Sequence, residues 1–289
     1  MAGDPGSSIP ELVPFLIEPR FLPKVWGYPD LRPWFDFTPR PGELIGEVWL
    51  TGDMCRVASG PQKGTNLAEL FRNASCALLG PASPTPQSPL LIKVIFAREK
   101  LSVQVHPDDS MAQKYGEPRG KTECWYALAA EPGAQVAAGL KPGVTLDEVR
   151  AGIEHGTLEQ SLNVLDVSPG DMVFVDAGTV HAIWPGSILL ETQQNCDITY
   201  RMYDYGRPRE LHIERSLEAT KLKTRAGTVP PPRTERPHHP DRCRVFLRRT
   251  DSGQGSPGQR DVAKPRRTAP RIVVPLRRCR FGSPFRRRF

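Results

Sequence analysis

Apolar and polar residues alternate in short runs through the middle of the chain, and glycine, proline and aspartate break the runs apart. Alternation with a period of two is the signature of half-buried strands. Residues 90–97 (LLIKVIFA), 101–105 (LSVQV), 123–130 (ECWYALAA) and 134–140 (AQVAAGL) read as strands. Residues 45–50, 163–167, 171–175, 188–192 and 199–203 read the same way, with SPGD and DAGT as tight turns. Helical spacing is confined to three places. Residues 66–71 fit a short helix, and 211–222 fit a closing one. Residues 145–155 carry Leu146, Val149 and Ile153 on one face behind Thr145 as N-cap. Proline density makes 81–89 a loop, and it forbids a long helix in residues 1–40. That opening segment should lie extended, covering a core with Phe15, Phe21, Trp26 and Trp34. Many short strands with few helices predict a mainly β chain folded as an antiparallel barrel or sandwich. Its interior should take Val103, Val105, Leu128, Val173, Val175 and Leu190.

The alternation also sorts the polar side chains. On a strand, residues two apart share a face, so Gln104 and His106 point the same way. Glu123 opens the next long strand, and the run GDMVFVDAGTVHAI brings His181. These four side chains could converge on one point. Imidazole, carboxylate and amide oxygen together suit a zinc-class divalent ion. A single strand histidine is usually structural. Two of them, joined by a facing Gln and Glu, reverse that expectation.

Charge changes the picture once. The formal net charge is +7. Residues 1–220 hold 19 Lys and Arg against 28 Asp and Glu, a balance of −9, while residues 221–289 hold 20 against 4, a balance of +16. The chain is an acidic body with a basic tail that also has ten prolines. Low hydrophobicity with high charge predicts disorder for that tail. Nucleic-acid binding is not expected of the body. The tail's charge would permit it, or an acidic membrane surface, but the expected reading is an end without a partner. The six cysteines are scattered with no CxxC pair, as in reduced cytoplasmic proteins. No apolar stretch is long enough to span a membrane, and the start does not have the build of a secretory signal.

Several motifs in order carry a resemblance. QVHPDD, GKTECWYALAAEPGA, GTVHAI and ETQQNCDITYRMYDYGR together resemble the type I phosphomannose isomerases of the short bacterial kind. The similarity runs from VWGYPDL and IGEVWLTGD to LHIERSLEATKLKTRAG. It implies a cupin jelly-roll barrel over residues 1–225, with an Arg/Pro-rich tail at 226–289. It also implies a cytoplasmic enzyme with one zinc ion per chain. That enzyme would interconvert mannose 6-phosphate and fructose 6-phosphate through an enediol(ate). By the same resemblance, Gln104, His106, Glu123 and His181 are the metal ligands. Arg201, Glu191 and Lys121 are the catalytic residues, and Ser102, Lys121 and Arg207 bind substrate. Three features depart from the family. Asp176 stands where the family has proline, Cys124 where methionine is common, and the tail does not resemble the family's last β-domain. A non-catalytic cupin that binds sugar phosphate is therefore the alternative. A metal-dependent dioxygenase is a further one, against which the Gln/His/Glu/His set, Lys121 and Arg201 speak.

Overall fold

The computed structural model describes residues 13–80 and 85–230. Short strands are its commonest elements. β1 (Ile17–Glu18), β2 (Arg20–Tyr28), β3 (Ile45–Trp49) and β4 (Arg56–Val57) come first, followed by α1 (Leu67–Leu79). Then come β5 (Leu90–Ala97), β6 (Val103–Val105), α2 (Asp109–Lys114), β7 (Glu123–Ala130) and β8 (Gln135–Leu140). α3 (Leu146–Glu154) leads into β9 (Leu162–Asp166), β10 (Met172–Val175), β11 (His181–Ile183), β12 (Ser187–Gln194) and β13 (Tyr200–Tyr203). α4 (Ile213–Ala219) and β14 (Gly227–Thr228) complete it.

The main strands pair antiparallel in two sheets, in the orders β14-β10-β7-β12-β5-β3-β2 and β13-β6-β11-β8-β9. One core cluster joins them. Ile95, Trp125, Ala127, Val173, Val175 and Leu189 of the larger sheet pack with Val136, Ala138 and Ile183 of the smaller. The sheets thus face each other, as in a jelly-roll barrel. The outer face of the smaller sheet is covered as well. Val103, Val105, Tyr200 and Met202 pack there against Val149 and Ile153 of α3 and Leu217 of α4. Thr145 caps α3 in a reciprocal capping box with Glu148. On the outer face of the larger sheet, Val94 and Phe96 meet Leu31 and Phe35.

This second covering revises the expected interior. Val173 and Val175 are inside, as expected. Val103 and Val105 are fully buried, but under the helices rather than between the sheets. Leu190 and Leu128 turn outward beneath the Leu31–Phe35 segment, with a register shift on β12 opposite Leu128. Alternation separates the two faces of a strand, but it does not say which face is inner when both are covered.

Residues 13–40 cover the apolar clusters as expected, with Phe15, Phe21 and Trp34 packed against them, and they add a strand to the sheet. Residues 20–28 form a nine-residue strand at one end of the larger sheet, and Trp26 joins the inner core. α1 runs to 13 residues, with a kink at Ala74. α2 has no counterpart among the expected helices; Asp108 caps it by accepting from the Met111 amide. At the other end, Gly227 and Thr228 pair with Phe174 and Val173, two residues past the expected boundary at 225. Most of the predicted tail, residues 231–289, lies outside the described residues.

Candidate metal centre

Three rows of backbone pairing bring the polar residues together. In the smaller sheet, Gln104 pairs with His181 on one side and Arg201 on the other. Cross-strand partners share a face, so these three side chains stand in line. In the larger sheet, Glu123 pairs with Val175 and Gln193, and one row along Trp125 pairs with Glu191, which pairs with Lys93. Two glycines close the gap between the sheets. A Cβ at Gly120 would sit 2.4 Å from the Asp108 carbonyl carbon, so only glycine lets that strand pass so near. The Lys121 amide then bonds the Pro107 carbonyl at 3.0 Å. Gly178, at φ 92°, turns the chain into His181 and donates its amide to the His106 carbonyl at 2.8 Å.

The result is a buried triad of ligating groups. His106, Glu123 and His181 each offer one atom, and those atoms lie within 4.8 Å of one another. His106 Nε2 is 3.2 Å from Glu123 Oε1, and His181 Nε2 is 3.7 Å from Glu123 Oε2. The first distance is short enough for a hydrogen bond, yet neither His106 ring nitrogen has one in proper geometry, and Glu123 Oε2 has none either. Buried polar atoms without partners are uncommon and call for an explanation. A cation between the two side chains would satisfy His106 Nε2 and Glu123 Oε2 together. His181 is already set for that role, because Nδ1 donating to the Thr179 carbonyl at 2.9 Å would leave the Nε2 lone pair free. Gln104 reaches the same spot, with its Nε2 3.2 Å from His181 Nε2. Turning that amide over would present its oxygen with no movement of heavy atoms.

Electrostatics agrees with the donor set. Burial, followed by the Lys121 charge, pushes His106 down to about 3. Burial also lowers His181. Burial works to raise Glu123, but Lys121 and His106 outweigh it and hold the carboxyl well below the usual carboxylate range. Neutral imidazoles and an ionised carboxylate are the forms that bind a divalent cation. A depressed histidine pKa means that protons do not compete as pH falls through the ordinary 6.5. Bound metal, measured by equilibrium dialysis, should therefore stay constant from about pH 8 to about pH 6 and fall only in more acid solution. Loss half-complete near 6.5 would mean that these histidines titrate normally.

The other expected residues fall at graded distances. Lys121 is buried, with Nζ 3.2 Å from Glu123 Oε1, and Ser102 Oγ donates to Gln104 Oε1 at 3.3 Å. Glu191 is buried one row away, accepting from Trp125 Nε1 at 3.0 Å and paired with Lys93 at 2.9 Å. Burial and then Glu123 push it up to about 7, against the pull of Lys93 and Lys121. Arg201 is half-buried, and its NH1 donates to the Glu210 carbonyl at 2.9 Å. Arg207 is not in contact with the triad. It binds the Lys100 carbonyl and, with Arg209, the Asp204 carboxylate. Burial and the neighbouring Arg209 and Arg207 lower Arg201.

Sequence reasoning missed the support behind Glu191. Lys93 also faces Glu47 at 3.9 Å, and Glu47 is held by Lys24 at 3.4 Å and Trp49 Nε1 at 2.8 Å. Burial works to raise Glu47, but Lys93 and Lys24 hold it at about 2. The signal was present: Lys93 is the one charge in LLIKVIFA, and Glu47 the one charge in IGEVWL.

Comparison with known proteins agrees with this geometry. No protein-family model matches the chain. Mannose-6-phosphate isomerase from Streptococcus mutans is 37% identical over 227 residues, covering 75% of this chain and 71% of that relative. The chain belongs to the mannose-6-phosphate isomerase family. A mannose-6-phosphate isomerase of Bacillus subtilis is 37% identical over 220 residues, covering 72% of this chain and 68% of its own length. The crystal structure of a mannose 6-phosphate isomerase from Bacillus subtilis superposes with a TM-score of 0.68 at 36% identity, covering 74% of this chain and 70% of that one. A mutant phosphomannose isomerase from Salmonella typhimurium shares the fold, with a TM-score of 0.58 at 17% identity over 73% of this chain and 74% of that one. The expected cupin-type barrel is therefore the fold of this mannose-6-phosphate isomerase relative.

Proposed function

We propose that the chain interconverts mannose 6-phosphate and fructose 6-phosphate at this site, with one zinc ion held by Gln104, His106, Glu123 and His181. The observation that carries the reading is a buried carboxylate facing two buried imidazoles, with ligand atoms left unbonded, in a chain of the mannose-6-phosphate isomerase family. Aldose–ketose isomerisation moves a proton between C1 and C2 through an enediol(ate). It needs a base and a way to stabilise negative oxygen. The bound cation supplies Lewis-acid polarisation of the sugar oxygens. Glu191, poised at about 7, can take and return a proton near neutral pH. Arg201 stands in line with Gln104 and His181, where a cation can stabilise the enediolate. Lys121 supplies a second buried positive charge for the sugar or its phosphate.

Arg207 and Arg209 bind the Asp204 carboxylate, and both of their charges, like that of Asp204, are felt at Arg201. That excess of positive charge suits a phosphate dianion, with Ser102 as a further donor. The unit that carries this chemistry is taken as residues 1–225, separate from 226–289, and its place as the cytoplasm. Among the described residues no helix is long and apolar enough to cross a membrane.

A coupled assay of mannose 6-phosphate isomerisation on the purified, zinc-loaded chain tests the reading. Binding of the sugar phosphate without turnover would favour the non-catalytic alternative. Iron as the metal retained through purification would favour a different chemistry. Arg201→Ala should lower turnover by about 10²–10³, as loss of a fixed oxyanion donor does, with metal content unchanged. Equal kcat in variant and parent would make Arg201 a structural side chain.

A further inference from the structure

Gln193 lies on β12 two residues beyond Glu191 and is 1% exposed. Its partner across the β12–β7 pairing is Glu123, so the two side chains stand next to each other on one face. Its Nε2 donates to the Cys196 carbonyl at 2.6 Å and to the Gln194 carbonyl at 3.0 Å. Two carbonyl oxygens at one end decide which way the amide points, because a flipped Oε1 would face both of them. Oε1 is thereby aimed elsewhere, and it has no hydrogen-bond partner. Its neighbours along the row do not provide one. Leu91 on the other flank has no side-chain donor, and Lys121 Nζ lies against Glu123 Oε1 and makes no bond to Gln193.

We propose that Gln193 Oε1 accepts a hydrogen bond from a hydroxyl of the sugar and helps to determine which sugar is used. The inference rests on the isomerase reading above and deepens it. The chemistry selects the partner. A fixed acceptor needs a donor, and a sugar chain has several. A phosphate dianion has none to give, so Gln193 belongs to the sugar side of the site. As a neutral amide it also adds no charge beside Glu123 and Lys121.

The test compares mannose 6-phosphate with its 3-deoxy and 4-deoxy analogues on the zinc-loaded chain. Both kcat/KM and calorimetric Kd are measured, with bound zinc and melting temperature as controls. The parent should prefer the full substrate over one analogue by about ten-fold or more, since the analogue leaves Oε1 buried and unpaired. Gln193→Met should bring that ratio towards one while keeping its zinc. If Gln193→Met does not fold, Gln193→Leu takes its place with the same expected loss of preference, and an unchanged preference there overturns the proposal. A preference unchanged in Gln193→Met for both analogues also overturns it, and would mean that Oε1 faces only water or Lys121. A parent chain that turns over none of the three sugars overturns the isomerase reading itself, and this proposal with it.

Discussion

Replacing His181 with alanine will strip the metal from the chain and cut isomerase turnover by about 10³-fold or more, the several kcal/mol that Lewis-acid stabilisation supplies. The structure gives the reasons. His181 is 1% exposed and stands in the same row as Gln104, and its Nδ1 is taken by the Thr179 carbonyl. Its loss leaves Gln104, His106 and Glu123, a set with one imidazole and a weak amide donor in place of the four-ligand centre. Metal per chain, read by mass spectrometry after dialysis, should fall well below one. His155→Ala is the control. His155 caps the end of α3 on the surface, and its loss should leave metal and turnover as they were. A His181→Ala chain that keeps its zinc would remove this residue from the centre.

Lys93→Met will destabilise the fold by about 3–5 kcal/mol, the usual cost of removing one partner from a buried ion pair. Lys93 is 4% exposed and faces both Glu191 and Glu47, which are also buried. Burial alone would discharge it, but Glu191 and Glu47 keep it charged and raise its pKa. Without it, burial and Glu123 push Glu191 further up with one fewer opposing charge. Urea unfolding of the metal-free chain measures the loss. The double variant Lys93→Met/Glu191→Gln should recover part of it, because the orphaned carboxylate is then gone. Equal stability of parent and Lys93→Met would show that water, rather than Lys93, satisfies those carboxylates.

The candidate ligand residues could be grouped from the sequence because strand alternation is a local rule. Gln104 and His106 sit two apart in one run, and Gly178 marks the turn that delivers His181. What was not legible depends on distant partners. Nothing within LLIKVIFA states that Lys93 meets Glu191 and Glu47 across two strand pairings. Gln193 looked like one more polar residue in ETQQN until the Cys196 carbonyl fixed its amide. Leu128 and Leu190 were placed inside because their strands alternate correctly, yet the aromatic segment around Phe35 makes the outer face apolar too. α2 was missed because six residues are too few to set up a helical period, and only the Asp108 cap betrays it.

The pairing of Gln104 with His181 spans 77 residues, and β12 reaches back to β5 over a similar stretch of chain. Contacts so far apart in sequence close late and slowly during folding, because loop-closure entropy must be met before they form. No local hairpin can therefore assemble this centre in advance. With the proposed ligands, a newly made chain would load metal only after both sheets have come together, so the rate of metal capture during refolding would report the closing of the barrel rather than any earlier event.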